Sequence, residues 1–90
     1  MLALTGRLIC TSQDQADRVR AHAAEHIRLT LEEPGCMSFS VGQTADPWIW
    51  QVDETFTNRA AFEAHQIRTA ASDWGQATQG IKRDFTLHEA

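Results

Sequence analysis

Hydrophobic positions along this chain switch between a period of two and a period of three to four, and the switches mark successive elements. Leu2, Leu4, Leu8 and Cys10 alternate with Ala3, Thr5, Arg7 and Ile9, which predicts a first strand over residues 2–10. Ser12 offers an N-cap oxygen, with Gln15 three residues on as the capping-box partner. Ala16, Val19, Ala23, Ile27 and Leu31 then follow one helical stripe, while Arg18, Glu25 and Arg28 lie away from it. Pro34-Gly35 ends this helix. Met37, Phe39 and Val41 alternate with Ser38, Ser40 and Gly42 as a second strand. Thr44-Ala45-Asp46-Pro47 is turn chemistry, and residues 48–56 form a third strand, an antiparallel hairpin with the second. Thr57 or Asn58 caps a second helix running to about Ala70. Ser72 or Asp73 restarts a short helical turn that ends near Gly80. Ile81, Arg83, Phe85 and Leu87 alternate with Lys82, Asp84, Thr86 and His88 as a final strand.

The order β-α-β-β-α-β predicts an α+β, ferredoxin-like fold with a four-stranded antiparallel sheet. No linker or repeat interrupts it, so residues 1–90 read as a single domain. Two helices can cover only one face of such a sheet. Trp48, Trp50, Val52 and Phe56 share one parity and Ile49 takes the other, with Leu and Ile split similarly in the first strand. A partly apolar second face calls for a partner, and a second copy of this chain is the expected one.

Composition narrows the function classes. Twelve acids against eight bases leave a net charge of −4, and no Lys/Arg cluster exists. That disfavours nucleic acid and an anionic membrane surface as partners. The N-terminus lacks the basic and apolar regions of a secretory signal, and no apolar window is long enough to span a bilayer, so a cytoplasmic location is expected. Cys10 and Cys36 are too few for a disulfide framework and read as free thiols. No dinucleotide, phosphate-loop or nucleophile-elbow motif appears.

His65 is the leading candidate for chemistry. It follows Phe62 by three residues and precedes Thr69 by four, which places it on the inward face of the second helix. There it is either a core-edge histidine or a proton acceptor titrating near neutrality. Glu54 shares strand parity with Trp48, Trp50 and Phe56; it either reaches solvent at the strand end or orients His65 with a raised pKa. Trp48, Trp50, Phe39, Phe62, Trp74 and His26 form the candidate lining of an aromatic pocket, with core packing as the competing use. Arg68 and Arg83 read as surface charges or as an anion clamp. His22 and His26 stand one helical turn apart, but Ala23-Ala24-Glu25 between them does not make an H-E-x-x-H site, so no metal is assigned.

Four segments, in this order, carry a resemblance. Glu33-Pro34-Gly35-Cys36, Glu54-Thr55-Phe56, Ala61-Phe62-Glu63-Ala64-His65 and Arg83-Asp84-Phe85 resemble the antibiotic biosynthesis monooxygenase family over nearly the whole chain. The resemblance implies ferredoxin-like subunits that pair through their sheets as a dimeric α+β barrel. It also implies oxygenation of a small aromatic or quinol substrate by dioxygen with no cofactor. In that chemistry the electron-rich substrate reduces oxygen while the protein deprotonates, orients and desolvates it. Haem-degrading members use an Asn in the first strand with a helical Trp and His. This chain has no such Asn, and the Trp position falls on His65. A non-catalytic dimer binding a small hydrophobic ligand is the competing expectation; isomerase or lyase chemistry is a third.

Overall fold

The structure is a computed structural model that describes residues 1–90. Its elements are β1 (Leu2–Ile9), α1 (Gln13–Leu31), β2 (Cys36–Gln43), β3 (Ile49–Phe56), α2 (Arg59–Ala71), α3 (Asp73–Ala77) and β4 (Lys82–Glu89). The four strands form one antiparallel sheet in the order β2-β3-β1-β4, as the ferredoxin-like βαββαβ pattern requires. No helix is long and apolar enough to cross a membrane.

Strand alternation sorts the sheet into two faces. Leu2, Leu4 and Leu8 from β1 and Trp50, Val52 and Phe56 from β3 pack against Ala16, Val19 and Ala23 of α1, Phe62 of α2 and Trp74 of α3. The opposite face holds Thr5, which donates to Asp53 at 2.6 Å, and Arg7, which pairs with Asp84 at 3.5 Å. Its large apolar groups in β1 and β3 are Ile9 and Ile49, cross-strand neighbours in register and half-buried. This face is therefore more polar than strand parity by itself suggests.

The helices depart from the sequence reading in two places. The buried stripe of α1 runs Ala16, Val19, Ala23, His26, Thr30, so the expected Ile27 is only half-buried and Leu31 is exposed. Steps of three and four residues keep a stripe on one face, and the last two positions are taken by polar side chains that find partners or ring contacts inside. Ser12 Oγ accepts from the Gln15 N–H at 3.1 Å, but Gln15 returns its amide oxygen to the Thr11 N–H at 2.8 Å, one residue before the cap. Asn58 caps α2 and Ser72 caps α3.

Two glycines set distances that matter for the site. Gly35 has φ +87°, and a Cβ there would come within 2.7 Å of Ala61 Cβ. Only glycine lets the turn between α1 and β2 lie this close to the start of α2. Gly6 lies mid-strand opposite both Val52 and Phe85. A side chain on Gly6 would meet the Asp84 carbonyl at 2.1 Å and the Phe85 ring at 2.7 Å, so its absence lets that ring fold across the sheet.

Candidate active site

A cavity of about 260 Å³ opens between the helices and the sheet. Leu4, Val52 and Phe39 floor it, and His65 and Thr69 of α2, Trp74 of α3 and His26 of α1 wall it. Glu54 stands on the central strand β3 between Leu4 and Phe39, its register partners, and points into this space.

His65 is held from both sides of its ring. Its Nδ1 lies 2.9 Å from Glu33 Oε1 and 3.2 Å from Oε2. The Glu33 carboxylate also takes the Nε–H of Arg68, whose Nη2–H reaches Thr30 Oγ at 2.9 Å. A carboxylate can only accept, so the imidazole proton sits on Nδ1 and Nε2 keeps its lone pair. The Thr69 hydroxyl stands 3.3 Å from Nε2, and Glu54 Oε1 stands 3.8 Å away. Burial pulls the His65 pKa below the ordinary histidine value; Glu33 opposes that shift and Arg68 adds to it. His65 is thus a neutral, oriented base at neutral pH.

Glu54 has the opposite problem. It is 7% exposed, and its Oε1 has no hydrogen-bond partner. Burial, reinforced by the nearby Glu33 charge, pushes its pKa up to about 7. An unpartnered carboxyl poised between its two states beside a neutral imidazole can give or take one proton at physiological pH.

His26 forms part of the aromatic wall. Its ring stacks on Trp74 at 4.6 Å with planes 2° apart and meets Phe39 edge-on at 5.2 Å. Burial first, then the His65 and Arg68 charges, depress its pKa to about 3. It is a neutral ring here, and no set of three His, Cys, Asp or Glu gathers around it as a metal site.

Of the residues expected in the pocket, His65, Glu54, Phe39, Trp74 and His26 come together, and Trp48, Trp50 and Phe62 do not. Trp48 precedes β3, lies in the turn, is 38% exposed and donates its indole N–H to Gln13 at 3.2 Å. Trp50 has the right parity but pairs with Leu8, further along the sheet, where it is sealed in the core with Arg20 over its ring at 5.9 Å. Phe62 packs against Phe56 at 5.7 Å in the core. Of the two readings of Glu54, solvent at the strand end or orientation of His65, neither holds as stated: Glu54 is buried beside the ring, and Glu33 orients it. Glu33 was visible in the sequence only as part of the Glu33-Pro34-Gly35 turn. Its role depends on Gly35 bringing that turn against α2. Arg83 lines the cavity as well; its guanidinium donates to Thr78 and Ile81 carbonyls and to the Thr78 hydroxyl.

The model of the family described as "antibiotic biosynthesis monooxygenase" matches residues 2–77. Among solved structures, the fold is similar to a proposed antibiotic biosynthesis monooxygenase from Nitrosomonas europaea. That match has a TM-score of 0.85 at 18% identity and covers 100% of this chain and 98% of the other. It is also similar to SnoaB from Streptomyces nogalater, a cofactor-independent oxygenase, with a TM-score of 0.79 at 12% identity over 99% of this chain and 91% of that one. A third likeness is to Rv0793 from Mycobacterium tuberculosis, with a TM-score of 0.77 at 19% identity over 99% and 93% of the two chains. No curated protein matches the sequence significantly. At these identities the structural likenesses establish the fold.

Proposed function

The chain belongs to the antibiotic biosynthesis monooxygenase family, and on that footing we propose a cofactor-independent monooxygenase acting on a small aromatic or quinol-type substrate. The observation that carries this reading is an oriented, neutral His65 and an unpartnered Glu54 meeting on one wall of an aromatic cavity. A flat substrate lies in this cavity with a phenolic hydroxyl toward His65 Nε2. The imidazole takes the phenolic proton, and Glu54 relays it. The electron-rich phenolate then reduces dioxygen itself, while the apolar walls keep out water that would stabilise the phenolate. A dihydroxyarene and one dioxygen give a hydroxyquinone and one water, which balances atoms and electrons with no other reductant.

The working unit in this proposal is residues 1–90 as one domain, paired with a second copy through the sheet faces. Supporting it, the face that carries Ile9 and Ile49 lies opposite the helices, with no element packed across it.

Oxygen consumption across a panel of quinols tests the activity. His65→Ala should lower turnover on the order of 10²-fold, with affinity, read by tryptophan quenching, changed far less. Tight binding without any oxygen uptake would instead favour a small-molecule-binding dimer. Turnover that survives His65→Ala undiminished would remove this residue from the chemistry.

A further inference from the structure

Seven arginines are present, and six face a carboxylate: Arg7, Arg18, Arg20, Arg28, Arg59 and Arg68. Arg83 is the exception. Its partners are the carbonyls of Thr78 at 3.3 Å and Ile81 at 3.0 Å and the Thr78 hydroxyl at 2.9 Å, all neutral. Those bonds fix the guanidinium in place without neutralising it. They use Nη1 and one Nη2 hydrogen, leaving Nε–H and the second Nη2–H, which lie along one edge of the group. That edge is the fork that matches a carboxylate in bidentate fashion.

Position gives this free cation a meaning. Arg83 is the one arginine or lysine lining the cavity. It pairs with Leu8 across β1 and β4, whereas Glu54 pairs with Leu4 across β1 and β3. Four residues of strand separate these registers by about 13 Å along the sheet. The cation and Glu54 therefore stand apart in the cavity, on β4 and β3 with β1 between them, and Phe85, opposite Gly6, lies at the register between the two.

We infer that Arg83 binds a carboxylate on the substrate, which makes the substrate class an aromatic acid whose phenolic hydroxyl lies across the ring from its carboxylate. The hydroxyl end of this assignment rests on the oxygenase reading; the carboxylate end stands on the geometry of Arg83.

Protocatechuate and its methyl ester share one ring and differ in the charge. Binding is measured without oxygen by tryptophan quenching. The wild-type protein should bind the acid about tenfold or more tightly than the ester, the scale of a charge-assisted pair. Arg83→Gln should bring the ratio near one, and Arg83→Lys should leave an intermediate ratio. Equal affinities in the wild type, or a preference that survives Arg83→Gln, would overturn the assignment. Should Arg83→Gln fail to fold for want of its bonds to Thr78 and Ile81, the wild-type ratio and Arg83→Lys decide. Oxygen uptake separates this inference from the activity. An acid preference without turnover keeps the carboxylate site and removes the oxygenase reading. Equal binding with turnover does the reverse.

Discussion

The Glu33 carboxylate grips His65 by Nδ1 at 2.9 Å across 32 residues of sequence, and the same carboxylate holds Arg68. This contact joins the turn after α1 to the middle of α2 and sets which imidazole nitrogen faces the cavity. Glu33→Gln keeps the shape and removes the charge. Because Glu33 raises the pKa of His65, the variant's His65 should titrate lower still, and Glu54 should fall below about 7. Histidine ring resonances followed by NMR against pH measure the first shift. The loss should also cost about 1–3 kcal/mol of stability, since it strands the Arg68 guanidinium. An unmoved His65 titration would contradict the coupling.

Glu54 gives a pH signature of definite sign. Its folded pKa, about 7, lies above the unfolded value of 4.5. The stability it contributes is therefore fully present below pH 4.5 and is lost as pH rises through 7. Glu54→Gln should remove that loss and gain on the order of 3 kcal/mol on the wild type between pH 4 and pH 8. Thermal unfolding of both proteins across that range checks it; parallel curves would mean that Glu54 does not titrate in this window. Turnover should fall in the same variant, because the relay partner of His65 is gone.

His26 predicts the reverse slope. Its folded pKa of about 3 lies below the ordinary 6.5, so its stability is complete above pH 6.5 and lost as pH falls toward 3. The groups facing it are Phe39, His65, Trp74 and Arg68. His26→Phe keeps a ring against Trp74 and removes the titration. Its melting temperature should hold near the wild type at pH 7 and exceed it increasingly below pH 6. A gap that stays constant with pH would show that His26 does not drive acid unfolding.

Gly35→Ala tests how the site is assembled. The new methyl group meets Ala61 Cβ at 2.7 Å in a backbone of φ +87°. The cost should be about 1–3 kcal/mol, from strain at a positive φ and a forced shift of the turn. The shift carries Glu33 with it, so the His65 titration should move as well as the melting temperature. Gly80→Ala makes a control, since Gly80 also has a positive φ but open space around its Cα. It should lose stability without touching His65.

The proposed pairing through the sheet has a direct measure. Light scattering at micromolar protein should give twice the 10.1 kDa chain mass. Ile9→Lys together with Ile49→Lys should return it to one chain, because two charges would then stand on the face to be buried. A wild-type monomer would remove the dimer.

Periodicity alone carried the sequence a long way. The alternations in residues 2–10 and 37–41, the helical stripe begun by Ala16, Val19 and Ala23, and the Pro34-Gly35 stop were enough to order the strands and helices. These are local properties, because backbone geometry repeats every two or 3.6 residues and a side chain's face follows from its position. The same logic placed His65 inward on α2 and Glu54 on the helix side of β3. It failed for Trp48, one residue before the strand, and for Trp50, whose face was right but whose place along the strand was not. Only the tertiary structure decided that Glu33, rather than Glu54, holds His65, and that Arg83 faces no carboxylate. Both outcomes depend on distances between segments far apart in the chain. Such distances arise from how separate segments pack, as the turn at Gly35 does against α2, and no local period encodes them.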